Sequence, residues 1–200
     1  MNNTLLQNSP PIILASNSPR RKSLLELIDL QFKVIASSVH EDFNIDLNPI
    51  EFAKHYANLK ALDIAQEYPD SLVIGADTIV VLDEEIIGKP KDENDSKLML
   101  RKLSDRTHTV ITGVSLVWKE NNIVDTFNEE TKVTFQHLTD KQIQFYIDNY
   151  NPLDKAGSYG IQDWFAVCVK KIDGCFYNVM GMPLSNFYNR LSKIITEINT

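Results

Sequence analysis

The sequence predicts an α/β fold, because apolar strand-like runs alternate with segments of helical periodicity along its 200 residues. A buried strand is indicated at residues 71–75, where the apolar run LVI precedes Gly75. Asp77 follows closely, and we expect it in a turn with Thr78 at the carboxyl end of that strand, where open α/β sheets place their ligands. The chemistry of the protein is therefore expected around Asp77.

The composition is typical of a globular protein with an ordinary hydrophobic core. Hydrophobic residues make up 43% of the chain, and we expect one domain over 1–200 with residues 1–10 as a loose polar lead-in. The formal net charge of −7 argues against a nucleic-acid or membrane-surface binder, since those proteins usually carry a basic patch. No secretory segment or membrane span is predicted, so Cys168 and Cys175 are expected as reduced thiols in the cytoplasm.

The junction of the first strand and the first helix is a candidate anion site. Residues 11–15 are apolar, and Ser18 and Pro19 are typical of an N-cap and a first helical residue. The apolar residues expected to bury this helix are Leu24, Leu25, Leu27 and Ile28. Arg20 and Arg21 follow in the first turn, where positive charge opposes the helix dipole, so a bound phosphate or carboxylate would compensate. The alternative is that solvated arginines merely flank the helix.

Two more elements precede Asp77 along the chain. Residues 32–36 predict a second strand, and Asn48-Pro49 is expected to open a helix that continues to about Glu67. Between them, Glu41 and Asp42 could bind a hard cation, although a solvated acidic loop is the common alternative. Lys60 lies beside the apolar stripe of the helix and by itself would be interpreted as a surface lysine.

The remaining chain continues the alternation of strands and helices. The predicted elements are a strand over 79–82, a turn at 83–85, a helix capped by Asp92 or Asp95 and buried through Leu98, Leu100 and Leu103, paired strands over 108–118 and 123–137, a helix capped by Thr139, a β-hairpin over 164–172 and 175–180, and a closing helix from Pro183. The glycines of GSYG at 157–160 mark backbone that bends or approaches another group.

Several common catalytic motifs are absent from the sequence. GKP at 88–90 lacks the upstream glycine and the hydroxyl residue of a P-loop, and GSYG at 157–160 is not the GxSxG elbow of a serine hydrolase. No HExxH and no paired CxxC occurs, and the four histidines are scattered singly. We therefore expect no zinc site and interpret each histidine as structural.

Five segments, taken together, resemble the Maf family of nucleoside triphosphate pyrophosphatases, in the order of the family and over nearly the whole chain. They are LASNSPRRKSLLEL, IGADTIVVLDEEIIGKP, LSDRTHTVITGV, DKAGSYGIQ and YNVMGMPLSNF. Five segments in register leave a far smaller chance of coincidence than one short motif. The resemblance implies a mixed twisted sheet with flanking helices, similar to inosine triphosphate pyrophosphatase, with two lobes around a cleft. It also implies cleavage of a nucleotide to its monophosphate and pyrophosphate.

Within the family, DKAGSYGIQ resembles the branch that acts on dTTP and UTP. By position, the resemblance implies Asp77 as the proton acceptor, Arg20, Thr78 and Gln162 in base specificity, Ser16, Arg21, Lys60 and Lys89 at the phosphates, and Glu41 with Asp77 at a metal. The family usually has glycine after the glutamine, whereas this chain has Asp163-Trp164. We expect this larger, charged pair to reshape the base pocket.

The residues supply the groups that triphosphate hydrolysis requires. Attack at the α-phosphorus needs a base or a metal-bound water, a divalent cation and basic donors, so we expect Mg²⁺ or another divalent cation. Whether Asp77 is the base or a metal ligand stays open. The competing interpretations are a nucleotide-binding regulator of septum formation without turnover, and a phosphotransfer enzyme, which the missing P-loop disfavours. Members of the family often pair into homodimers. The biological role stays open between the removal of modified pyrimidine nucleotides and the arrest of cell division.

Overall fold

A computed structural model of the chain describes residues 9–198. Most of the predicted lead-in at 1–10 lies outside the described residues, and the single domain over 1–200 stays a prediction. The described chain forms two compact units, of which the first comprises 9–77, 112–129 and 181–198, and the second 78–111 and 130–180. None of the helices within residues 9–198 has the length and hydropathy that a membrane span requires.

Helices and strands alternate as the sequence predicts. The strands are β1 (Ile12–Leu14), β2 (Lys33–Val34), β3 (Leu72–Leu82), β4 (Glu85–Ile87), β5 (Thr107–Trp118), β6 (Ile123–Phe135) and β7 (Val169–Asp173). The α-helices are α1 (Pro19–Glu26), α2 (Pro49–Glu67), α3 (Glu93–Leu103), α4 (Asp140–Tyr150), α5 (Phe176–Val179) and α6 (Leu184–Ile198). Three short 3₁₀ helices cover Pro152–Asp154, Ala156–Ser158 and Trp164–Cys168.

The seven strands of the described chain pair into a mixed sheet. The strand order is β2-β1-β3-β5-β6-β7, and β4 pairs with β3 outside this path. Strand β1 runs parallel to β2 and β3, whereas the β3–β4 and β6–β7 pairs are antiparallel. The predicted class, an α/β fold with a mixed sheet and flanking helices, is therefore confirmed.

Helix starts follow the predicted caps. The N-caps are Ser18 for α1, Asn48 for α2, Asp92 for α3 and Thr139 for α4, and each side chain accepts a backbone N–H three residues later. Of the two candidates for α3, Asp92 is the cap, whereas Asp95 accepts the N–H of Lys91 at 2.9 Å. The prediction that Leu27 and Leu98 are buried is wrong, since each is 62% exposed. Leu27 lies at the end of α1, and Leu98 lies about 200° around α3 from buried Leu100.

The predicted β-hairpin over 164–180 is wrong. Residues 164–168 form a 3₁₀ helix, β7 pairs with β6, and α5 follows where a second hairpin strand was expected. Asp163 starts the 3₁₀ turn because its carboxylate accepts the N–H of Phe165 at 3.0 Å. After Gly174, the N–H of Cys175 donates to the Thr131 hydroxyl at 3.0 Å, so a side chain replaces strand pairing there.

The structural interpretation of the single histidines holds for His108 in the second unit. Its side chain is buried, Nε2 lies 2.8 Å from the Tyr159 hydroxyl, and its ring contacts Phe135 edge-on at 4.7 Å between centroids. Burial lowers the pKa of His108 to about 4.

His108 should make the fold sensitive to acid. In the unfolded chain, His108 has its ordinary pKa of about 6.5 and is protonated below that pH. In the folded chain, it stays neutral until the pH falls to about 4. We therefore expect a loss of stability of roughly 3 kcal/mol across this window as the pH falls. Urea unfolding at pH 7 and pH 4.5 should show a smaller acid loss for His108→Gln than for the parent. The exposed control His137→Gln should match the parent, and an equal acid loss in His108→Gln would contradict the assignment.

Candidate active site

Asp77 lies inside strand β3 and not in a turn after it. The prediction that the strand ends at Gly75 and that Asp77 and Thr78 form a turn is wrong, because the strand is continuous from Leu72 to Leu82. Asp77 is only 6% exposed, and a buried carboxylate of this kind requires a charged or hydrogen-bonding partner. The partner is Lys60 of α2, which allows the strand to continue through an ionised residue.

The Lys60 ammonium joins two carboxylates that the family resemblance assigns to metal handling. Its Nζ donates to Asp77 Oδ1 at 2.7 Å and also to Glu41 Oε1. The Lys60 side chain is 12% exposed, so water screens these contacts less than it would at the surface. The alternative of a surface lysine is wrong, and Lys60, Glu41 and Asp77 form one charged cluster in the first unit.

Close packing of α2 on β3 sets the position of this cluster. A Cβ atom added at Gly75 would lie 2.1 Å from the carbonyl oxygen of Ala57 and 2.7 Å from the amide nitrogen of Ala61. Lys60 precedes Ala61 on the helix, and Asp77 lies two residues beyond Gly75 on the strand. The missing side chain at Gly75 therefore lets the two elements approach until Lys60 reaches Asp77.

Gly75→Ala should damage both the fold and the charged cluster. The added methyl group must push α2 away from β3, and overpacking of this kind costs about 3 kcal/mol of unfolding free energy. Turnover should fall as well, because the shift separates Lys60 from Asp77. Urea unfolding and steady-state kinetics would measure both effects, with Ala36→Val adding carbon atoms at an exposed position as the control. An unchanged free energy of unfolding in Gly75→Ala would contradict this prediction, because it would show that α2 can move away from β3 without destabilising the protein.

The junction of β1 and α1 places a second polar group in the first unit. The Ser16 hydroxyl oxygen accepts the N–H of Ser18 at 3.2 Å and Nη1 of Arg21 at 3.1 Å. On its other side, Arg21 Nε donates to the carbonyl oxygen of Gly181 at 3.0 Å. The Arg21 guanidinium is thus fixed by two partners, and the alternative of a merely solvated side chain is wrong for this arginine.

Electrostatics links Arg21 to the carboxylates of the first unit. Burial lowers the pKa of Arg21, the negative charges of Asp77 and Glu41 raise it, and the neighbouring charge of Arg20 lowers it further. Together with Lys60, the predicted site residues of this unit carry more positive than negative charge. Such an excess favours an anionic ligand.

Three predicted site residues belong to the second unit. Thr78 is half-buried in β3, Lys89 is exposed after β4, and Gln162 is exposed in the turn before the third 3₁₀ helix. The N–H of Gly157 donates to the carbonyl oxygen of Gly88 at 3.0 Å. This hydrogen bond places Gly157, which precedes Gln162 by five residues, beside Gly88, which directly precedes Lys89.

Asp163 and Trp164, where the chain departs from the family pattern, contact helix α4. The Tyr146 hydroxyl donates to Asp163 Oδ2 at 3.0 Å and accepts the N–H of Gly160 at 2.9 Å. The Trp164 ring stacks on Tyr146 with 6.3 Å between centroids. Burial, followed by the charge of Asp163, raises the pKa of Tyr146, so its hydroxyl keeps the proton that it donates. Both residues therefore hold the 160–164 turn against α4, and a reshaped base pocket stays a prediction.

The oxygen donors of the first unit suit Mg²⁺. Asp77 Oδ2 is buried and has no hydrogen-bond partner in the structure, although it belongs to a charged group. Residues 9–198 contain no group of three or more acidic, histidine or cysteine side chains placed to hold a metal. Mg²⁺ in phosphate-handling sites is usually bound by one or two carboxylates together with phosphates and water. Glu41 and Asp77 fit that arrangement, in which the ligand supplies the remaining oxygens.

Sequence reasoning missed two polar residues that accompany Lys60 on α2. Tyr56 and Asp63 lie four residues before and three residues after Lys60, which places all three side chains on one face of the helix. Both contact the loop that carries Glu41. The spacing of Tyr56, Lys60 and Asp63 in the sequence was the signal that could have identified them as one polar group. From the sequence, only the apolar face of this helix was interpreted.

The fold and the cluster define an α/β protein in which Lys60 and Arg21 of the first unit lie with the carboxylates of Asp77 and Glu41 in one charged group. The family model described as Maf-like protein matches residues 11–194. The chain therefore belongs to the Maf family, and the resemblance inferred from the five segments is confirmed.

Curated relatives are similar over most of their length. The chain is 43% identical to the dTTP/UTP pyrophosphatase of Bacillus mycoides (strain KBAB4) over 187 residues, which are 94% of this chain and 97% of the relative. It is 47% identical to the dTTP/UTP pyrophosphatase of Bacillus pumilus (strain SAFR-032), across 87% of this chain and 91% of the relative. The HAM1 protein structure from Coxiella burnetii matches 94% of this chain and 98% of its own with a TM-score of 0.47 and 16% identity, a likeness that supports no conclusion.

Proposed function

We propose that the protein hydrolyses dTTP and UTP, and modified pyrimidine nucleotides of the same shape, to the monophosphate and pyrophosphate. The single observation that carries the proposal is the buried Asp77 carboxylate, which has Lys60 on Oδ1 and no hydrogen-bond partner on Oδ2. Membership of the Maf family and the names of the curated relatives point to the same reaction. In a protein that only bound nucleotides, a carboxylate beside the anionic phosphates would repel the ligand unless a metal intervened.

Asp77 is the proton acceptor in this reaction. A water molecule attacks the α-phosphorus, its proton passes to Asp77 Oδ2, and the bond from the α-phosphorus to the oxygen bridging to the β-phosphate breaks. Pyrophosphate leaves with that bridging oxygen. Lys60 orients the carboxylate by holding Oδ1, so that Oδ2 is the oxygen left to take the proton.

The phosphates are bound by the cationic groups and the Ser16 hydroxyl. Arg21 is preorganised by Ser16 and Gly181, and preorganised donors stabilise developing charge at little cost. Arg20 and Lys89 add positive charge, while Thr78 and Gln162 select the base and sugar. When bound, Mg²⁺ would be held by Glu41, together with Asp77 in the alternative in which Asp77 is a metal ligand instead of the base, and it would offset the charge of the phosphates. A cytoplasmic location and a homodimer belong to the same proposal.

Pyrophosphate release from a nucleotide panel tests the proposal. The panel contains dTTP, UTP, CTP, GTP, ATP and 7-methyl-GTP, each with Mg²⁺ and with chelator. We expect release from dTTP and UTP only when Mg²⁺ is present, with recovery after the metal is restored. Nucleotide binding without release would instead support the regulator of septum formation, and release from 7-methyl-GTP alone would place the protein in another branch.

Gln162→Ala should change the ranking of nucleotides more than the maximal rate. The amide of Gln162 can donate to and accept from a pyrimidine edge, and a lost hydrogen bond of this kind reduces discrimination by about tenfold. Values of kcat/KM for dTTP, UTP and CTP would measure the ranking, with the exposed Gln66→Ala on α2 as the control. An unchanged ranking would count against a contact between Gln162 and the base.

A further inference from the structure

The loop that carries Glu41 has no secondary structure of its own. Residues 35–42 follow β2 without forming a helix or strand, and the next helix begins only at Pro49. A half-buried carboxylate on such a loop keeps one position only if other contacts fix the backbone around it. The contacts that fix this backbone come from helix α2.

Asp63 holds the beginning of the loop. Its Oδ2 atom accepts the Ser38 backbone N–H at 2.8 Å, the Ser37 hydroxyl at 2.8 Å and the Ser38 hydroxyl at 3.2 Å. The Ser37 hydroxyl oxygen in turn accepts the N–H of Val39 at 3.1 Å. The Ser38 N–H, followed by the Ser37 hydroxyl, lowers the pKa of Asp63. An ionised Asp63 is thus the anchor of residues 37–39.

Tyr56 holds the end of the loop. Its hydroxyl oxygen accepts the N–H of Asp42 at 2.6 Å and lies 3.2 Å from the carbonyl oxygen of the same residue, to which it donates. The Tyr56 ring is buried against Phe52, with 4.7 Å between the ring centroids. The hydroxyl is therefore held in place by a packed ring, and it fixes the residue that directly follows Glu41.

The order of the contacts shows how the loop lies on the helix. Ser37 and Ser38 meet Asp63, Glu41 meets Lys60, and Asp42 meets Tyr56. The loop therefore runs antiparallel to α2, along the face on which these three side chains are spaced four and three residues apart. Lys60, at the middle of this face, contacts Glu41 and Asp77 together.

We propose that Asp63 and Tyr56 are positioning residues that clamp loop 37–42 at both ends and thereby hold the Glu41 carboxylate at Lys60. Each residue acts on catalysis through Glu41, because its hydrogen bonds go to the loop that carries Glu41. The catalytic consequence rests on the proposed function, whereas the clamp itself is a property of the protein without substrate.

The first test measures amide hydrogen exchange in the protein without nucleotide. Asp63→Asn keeps the size of the side chain but removes the ionised acceptor, so exchange at Ser38 and Val39 should rise by about tenfold, the equivalent of about 1.4 kcal/mol. Tyr56→Phe keeps the packed ring but removes the hydroxyl, so exchange at Asp42 should rise similarly. The matched controls are Glu67→Gln and Tyr68→Phe, two exposed residues at the end of α2, which should leave these amides unchanged.

The second test asks whether the effect on activity passes through Glu41. Asp63→Asn and Tyr56→Phe should each lower kcat/KM for dTTP by about tenfold. In a Glu41→Gln background, neither change should lower kcat/KM further, because the group that they position is already lost. A merely structural role would lower it by the same factor in both backgrounds.

The outcomes separate this proposal from the proposed function. Unchanged exchange at Ser38, Val39 and Asp42 would overturn the clamp, and equal losses of kcat/KM with and without Glu41 would overturn the positioning role. If the parent releases pyrophosphate from no nucleotide, the proposed function fails, and exchange alone decides the clamp. Faster exchange in both variants would then support it.

Discussion

Asp77→Asn should lower kcat for dTTP by about 1000-fold, the usual range for removal of a general base. The amide retains the size of the side chain and can accept from Lys60, but it cannot take the proton of the attacking water. Lys60 keeps Glu41 as a partner, so the free energy of unfolding should fall by about 2 kcal/mol at most. Single-turnover pyrophosphate release and urea unfolding would measure the two effects.

The control for this prediction is Asp46→Asn, an exposed aspartate of the first unit, which should behave as the parent. If Asp77→Asn retained most of the activity, Asp77 would not be the proton acceptor. A loss of activity accompanied by unfolding would instead show that the buried carboxylate serves the fold.

Lys60→Met should lower kcat/KM by about 100-fold and reduce stability as well. The thioether fills the space of the side chain, but Asp77 and Glu41 then face each other without the ammonium that bridges them. Removing one partner of a buried ion pair costs about 3 kcal/mol. Lys60→Arg keeps the charge with a different donor geometry, so we expect it to recover stability more than activity.

Lys54→Met is the matched control on the same helix. Lys54 forms an ion pair with Glu51 at 3.1 Å, and this pair is far more exposed than that of Lys60. Its loss should cost about 0.5 kcal/mol and leave turnover unchanged. A Lys60→Met protein with kcat/KM within threefold of the parent would contradict the assignment of Lys60 to the site.

Features that depend on neighbours in the chain could be predicted from the sequence. The caps Ser18, Asn48, Asp92 and Thr139 each bond to a backbone N–H three residues later, so the residue types in a short window were sufficient. The placement of strands and helices follows the same logic, because periodicity is a local property. The order of five motifs was likewise readable without any structure.

Features that depend on distant partners could not be predicted in this way. The turn expected at Asp77 is a strand because Lys60, 17 residues earlier, neutralises the carboxylate. The hairpin expected at 164–180 is absent because Thr131, 44 residues before Cys175, accepts its N–H. In both cases the local sequence predicts the wrong element, because a polar group has a partner that is distant in the sequence and close in the folded chain.

The sequence by itself determined the α/β class, the starts of α1, α2, α3 and α4, the family and the residue types of the candidate site. The tertiary structure decided which of those residues meet, since Gly75 brings α2 onto β3 and so brings Lys60 to Asp77. It also decided how Glu41 is held, through Asp63 and Tyr56 on the face of α2 that carries Lys60. The physical reason is that a residue's type is local, whereas burial and the pairing of charges depend on how distant segments pack.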